Sequence, residues 1–160
     1  PTDHLSAVQL LRHMAAAGIW ARGTKPRFAA SEKMTEVTVI GTPEWYRPDF
    51  RRLAGRYGHN VLVPVPYAVE TKRGAGLAQQ VKGPSGRNPT AMVALIEDTL
   101  LAFAQANKLA VERKEKLVTT LRSVTVASGA TAGLDFRRQD ALSALIVLAL
   151  THDGFHPFKP

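Results

Sequence analysis

Asp49, Glu70 and Lys72 are of the types that metal-assisted phosphodiester hydrolysis uses. Two carboxylates can hold a divalent ion, and a lysine beside them can orient the attacking water. A further acidic group, Asp140, stands in Gln139-Asp140-Ala141-Leu142 at the head of an apolar run. Either set would work with Mg2+ or Mn2+; apart from that chemistry no cofactor and no resident metal is expected. The five histidines lack H-E-x-x-H spacing, although His152, Asp153 and His156 gather near the C-terminus. There is no Walker loop, and Gly74-Ala75-Gly76 is not followed by the rest of a dinucleotide fingerprint. Ser6, Ser31, Ser85, Ser123, Ser128 and Ser143 have no nucleophile-elbow context. The absence of cysteine excludes disulfides, thiolate zinc sites and a cysteine nucleophile.

These residues sit in a chain of 160, 45% apolar and 21% charged, which suits one compact domain over 1–160 with its own core. Its longest apolar stretch, Ala141 to Leu150 interrupted by Ser143, falls short of the about 20 residues that cross a bilayer. No basic-then-apolar leader opens the chain, so the expectation is an intracellular protein without membrane contact. The net charge is +8, and it is lopsided: residues 1–90 carry 13 basic and 6 acidic groups, residues 91–160 carry 8 and 7. An arginine-rich first part suits a phosphate backbone. The expected contacts are Arg22, Lys25 and Arg27 on a basic arm at 20–33, Arg51, Arg52 and Arg56 on one helix face, and Lys72, Arg73, Lys82 and Arg87 on a loop. Trp20 and Phe28 in the arm either stack on bases or pin the arm to the core.

Positioning falls to the following elements. Residues 3–17 read as a helix, capped by Thr2 or Asp3 and stopped by Gly18. Val37–Ile40 reads as a short buried strand ended by Gly41-Thr42-Pro43, followed by a helix over 49–56 and a strand at 61–65. Strand, helix and strand in that order suggest a parallel crossover. Residues 70–89, with four glycines and two prolines, read as a long basic loop. Met92, Val93, Ile96, Leu100 and Phe103 form a helical stripe ended near Asn107, and a second helix with a charged outer face follows over 109–123. Ser128 to Gly133 is a small-residue connector. The apolar run to Thr151 reads as a last helix from Phe136, buried or docked on another subunit, and 153–160 as a tail.

Arg47-Pro48-Asp49-Phe50 with Glu70-Thr71-Lys72 resembles the PD-(D/E)XK nuclease signature. The order of elements over 36–152 and the run Gln139 to His152 are similar to RuvC-type resolvases and related RNase H-like proteins. There the closing helix carries metal-binding aspartates, a strand ends in a metal-binding glutamate, and a basic loop faces DNA. On that resemblance Asp140 fits the first helix aspartate, Ser143 occupies the second, and Gly41 stands in place of the glutamate, with Glu44 three residues on.

The resulting expectation is an α/β fold, a small parallel or mixed sheet with a helical C-terminal half of degenerate RNase H-like type. Its expected role is nucleic-acid binding, as an auxiliary subunit joined to other protein subunits through the apolar C-terminal helix. The alternatives are a metal-dependent nuclease of RuvC or PD-(D/E)XK type and a structural or assembly protein.

Overall fold

The structure, a computed structural model, describes residues 3–24, 34–81, 86, 88–127, 129–131, 133–137 and 144–159. In chain order the elements are α1 (His4–Ala16), β1 (Ile19–Ala21), β2 (Thr35–Val37), α2 (Pro48–Ala54), β3 (Leu62–Val65), α3 (Lys72–Gln80), α4 (Ala91–Arg113), α5 (Leu117–Leu121), β4 (Thr125–Val126), β5 (Leu134–Asp135), β6 (Ile146–Leu150) and β7 (Phe155–Pro157). They form two compact units, Pro1–Val65 with Val147–Pro160, and Pro66–Ile146. What the sequence suggested as one domain is therefore taken unit by unit.

The first unit starts with α1, where Asp3 accepts from the Leu5 and Ser6 N–H groups at 3.0 and 2.8 Å and Ala7, Val8 and Leu11 are buried. β1 pairs in parallel with β2, Ile19 opposite Thr35 and Ala21 opposite Val37. Past β2 the chain bridges in parallel to β3. Leu62 N–H donates to the Val39 carbonyl at 2.9 Å, and Gly41 N–H to the Leu62 carbonyl at 2.7 Å. α2 lies between these segments, with Pro48 in its first turn and Phe50 and Ala54 buried. The expected crossover is present, but Val37–Ile40 is not a buried strand: Ile40 is 67% exposed and joins β3 only as an isolated bridge.

β6 lies between β3 and β7. Asn60 N–H donates to the Leu150 carbonyl at 2.7 Å, and β7 runs antiparallel with Leu150 opposite Phe155. This corrects the expected helix over 136–151, and with it the helical docking surface for other subunits. An all-apolar run reads equally as a buried helix or a buried strand. Here Ile146 and Val147 are β-branched, and pairing on both sides buries Leu148 and Leu150 completely. The expected tail contains β7. Asp140, at the head of that run, lies outside the described residues, as do Ser143, Lys25, Arg27, Lys82 and Arg87.

In the second unit, residues 72–80 of the expected loop are helical. Thr71 makes the difference: its hydroxyl donates to the Ala68 carbonyl at 2.8 Å and accepts from Gly74 N–H at 3.0 Å. Leu77 and Ala78 are buried, and the buried Tyr67 hydroxyl donates to the Gly74 carbonyl at 3.1 Å. Helical glycine costs about 1 kcal/mol against alanine, so packing and the cap must offset Gly74 and Gly76.

α4 passes through Asn107 without a break and stops at Lys114, which adopts a left-handed conformation (φ 54°). Its buried face is Ala94, Asp98, Ala102, Ala106 and Ala110, not the expected stripe of Met92, Ile96, Leu100 and Phe103, which is exposed. Asp98 sets that rotation. Its carboxylate, fully buried, accepts from Ala130 N–H at 2.6 Å, Thr131 N–H at 3.0 Å and the Thr131 hydroxyl. Neighbouring Gly129 passes so close that any Cβ there would overlap the carboxylate. Ala102 and Ala106 pack with Val124, Val126 and Leu134 around the β4–β5 ladder. Arg137 donates twice to Asp135, at 2.8 and 2.7 Å, and holds its carboxyl at about 2. Among the described residues, no helix is long and apolar enough to cross a membrane.

Asp98→Ala should destabilise the protein by about 2–4 kcal/mol, because it leaves buried N–H groups at 130 and 131 unsatisfied. A urea midpoint within error of the parent's would show that the carboxylate does not hold this segment.

Candidate functional site

In an open sheet with parallel strands, ligands bind beyond the carboxyl ends of the strands. In the first unit that edge collects the start of α1, the Gly41–Trp45 segment and the start of α2. The contacts agree with the topology: His4 Nε2 lies 3.3 Å from Asp49 Oδ2, and Arg47 Nε donates to Asp49 Oδ1 at 3.2 Å. Asp49 is thus shared by an imidazole and a guanidinium, with its side chain 36% exposed. Partial burial pushes its carboxyl up, but the Arg47 hydrogen bond and charge and the His4 charge together leave it below the ordinary value.

Glu44 is exposed on the same segment, and the Thr42 hydroxyl holds its carboxyl below the usual range. Trp45 is buried, its ring stacked on Phe50 with centroids 5.2 Å apart. Gly41 is required beneath it, since a Cβ at 41 would overlap the indole. The Trp45 Nε1–H is buried and finds no acceptor among the described residues. A buried donor without a partner is rare and calls for an explanation.

A second polar group surrounds the turn between β6 and β7. His156 Nε2 is 3.1 Å and His152 Nδ1 3.7 Å from Asp153 Oδ1, and the Thr151 hydroxyl donates to the same carboxylate. Hydrogen bonds from Thr151 and His156 hold Asp153 at about 2. Arg51 donates to the Asp153 carbonyl. Burial, and then the charge of His152, lower His59. The cluster expected at 152–156 therefore exists, but among the described residues no group of three or more histidines and carboxylates is placed to hold a metal.

The other expected site residues fall on elements of both units. Asp49 opens a helix rather than a strand of a hairpin, and belongs to the first unit. Glu70 precedes α3 and Lys72 begins it, in the second unit, so the PD-(D/E)XK context is absent. Arg22 follows β1. Arg52 is exposed on α2, and Arg56 sits over the Tyr57 ring at 5.1 Å, with Tyr57 stacked on Trp20. Lys72 and Arg73 are exposed in the first turn of α3. Sequence reasoning missed the His4–Asp49–Arg47 group and the orphan Trp45 donor. The available signal was a helix start and a strand end falling on the same edge of one crossover unit.

Neither a protein-family model nor a curated protein matches the sequence. Solved structures do. One is described as a branched-chain amino acid ABC transporter from Rhodospirillum rubrum; it matches with a TM-score of 0.75 at 18% identity, over 98% of this chain and 42% of that one. Another is the leucine binding protein LivK from Thermotoga maritima, with a TM-score of 0.59 at 16% identity and the same coverage. The chain spans about two-fifths of the length of these neighbours and shares their fold. The RuvC-type and RNase H-like resemblance is thereby overturned. So are the expectations built on it and on the net charge: nucleic-acid binding, nuclease activity and a nucleic-acid partner. That resemblance rested on the order of elements over 36–152 and on generic residue types, whereas the present likeness is one of structure over 98% of the chain.

A group whose folded pKa is depressed contributes stability above its unfolded value and loses it as pH falls through the folded one. The Tm difference between the parent and Arg47→Ala should therefore be present at neutral pH and close as Asp49 is protonated, below about pH 4. In Arg47→Ala, NMR titration should find the Asp49 carboxyl moved up. An unmoved Asp49 would remove Arg47 as the cause.

Proposed function

We propose that this chain forms part of the solute-binding component of an ABC transporter, with an amino acid as the solute. The observation that carries this reading is the fold likeness at a TM-score of 0.75 over 98% of the chain. The first unit's carboxyl edge supports it chemically. A zwitterionic amino acid asks for an anion to meet its ammonium and for donors to meet its carboxylate. Glu44, held ionised by Thr42, supplies the first. Arg47, more than half exposed, is a donor on the same edge. No redox, acyl-transfer or metal step is required, in keeping with a role in binding. On this reading the protein works outside the cytoplasm, where such components meet their solutes.

Calorimetry with L-leucine, L-isoleucine and L-valine tests the proposal. A saturating ligand should raise the melting temperature, since a solute at about 100 times its Kd adds about 2.7 kcal/mol to the folded state. Glu44→Gln should weaken binding about tenfold or more, the scale of a lost charge-assisted hydrogen bond, without lowering the unliganded melting temperature. Absence of heat and of thermal shift with all three amino acids at millimolar concentration would refute it.

A further inference from the structure

Leu95 and Leu109 of α4 pack against the core of the second unit, but four other large apolar residues of the helix point away from it. Met92, Ile96, Leu100 and Phe103 are 66%, 54%, 64% and 45% exposed. Spaced four, four and three residues apart, they make one stripe about 17 Å long at 1.5 Å rise per residue. From Met92 to Gln105 the helix carries only two charged residues, Glu97 and the buried Asp98. This is the reverse of an ordinary surface helix, which turns its large apolar residues inward and its charges to solvent. Here the fully buried face is alanine and one clasped carboxylate, with Leu95 and Leu109 partly buried at its margin. A contiguous apolar patch of this kind marks an interaction face.

The described strands of the second unit are β4 and β5, two residues each, which is too little sheet to cover such a stripe. In α/β folds helices cover the faces of a sheet. The matched structures contain more chain than this one: the match takes up 42% of each, so more than half of each neighbour lies outside it. We propose that the α4 stripe is the docking face for the apolar side of a β-sheet carried by the polypeptide that completes this fold. A second copy of the chain is a poorer occupant, because four side chains from each of two helices fall short of the about 1,000 Å² a stable dimer buries. The proposal rests on the fold behind the solute-binding reading and not on the identity of the solute.

The chain has no cysteine, so a single introduced thiol is a clean probe. Ile96→Cys, Leu100→Cys and, on the exposed end of the same helix, Glu112→Cys are made in this chain. They are made again in a chimera where the chain replaces the matched part of the Rhodospirillum rubrum neighbour. Thiol labelling at 96 and 100 should slow about tenfold or more in the chimera while 112 labels equally fast in both, a local protection. Equal labelling at all three positions would overturn the proposal. Protection that appears in the chain alone and grows with its concentration would overturn it too, by making a second copy the occupant. A second measurement needs only the 160-residue chain: Leu100→Glu should leave its melting temperature unchanged and reduce its binding of a hydrophobic dye. If Leu100→Glu unfolds the chain, the stripe is internal packing and the inference fails. All these readouts are taken without amino acid, so failure of the solute-binding reading leaves them interpretable.

Discussion

β3 and β6 are hydrogen-bonded neighbours, joined by Asn60 to Leu150 and by Leu150 to Val61, although the whole second unit separates them in the chain. Much else follows from this pairing. Val61, Val63 and Val65 are buried because β3 is flanked on both sides, by the Val39–Gly41 bridge and by β6. Fully covered strands of this kind bury about 1.5–3 kcal/mol per large apolar side chain. Closing so long a loop costs only a little more than closing a short one, because the entropy grows with the logarithm of length. An 81-residue insertion between two adjacent strands is therefore affordable to the sheet, provided the insertion folds by itself.

The second unit is compact and is held together by a different device. Its long helix approaches the segment at 129–131 through alanines and pins it with one buried carboxylate. Small residues permit close approach, and a buried charge is tolerable only when its acceptor capacity is filled. Asp98 has three donors, so it fixes both the rotation of α4 and the path of the loop. Once that rotation is set, Met92, Ile96, Leu100 and Phe103 face outward whatever their hydrophobicity.

The arginine excess likewise has an internal explanation. Arg12 donates to the Leu53 carbonyl, Arg51 to the Asp153 carbonyl, Arg47 to Asp49 and Arg137 to Asp135, while Arg56 lies over Tyr57. Guanidinium groups suit these roles because they are planar, always charged and rich in donors. All five remain exposed, yet each also contacts a carbonyl, a carboxylate or a ring of its own unit.

The sequence alone determined the features that depend on neighbours a few residues apart. The first helix with its Asp3 cap, the helix opened by Pro48 and the parallel crossover around it were all legible, because caps, proline and short-range periodicity act locally. The general α/β class followed from them. The tertiary structure alone decided whether Ile146–Leu150 would be helix or strand, since an all-apolar run has no polar face to reveal its period and only pairing with β3 and β7 makes it a strand. It also decided that α4 buries its alanines, because hydrophobicity ranks leucine above alanine whereas close approach and the Asp98 clasp favour the smaller side chain. The carboxyl-edge group was invisible for the same reason. His4, Glu44, Trp45 and Asp49 belong to three separate segments, and only the direction of the parallel strands brings those segments to one edge.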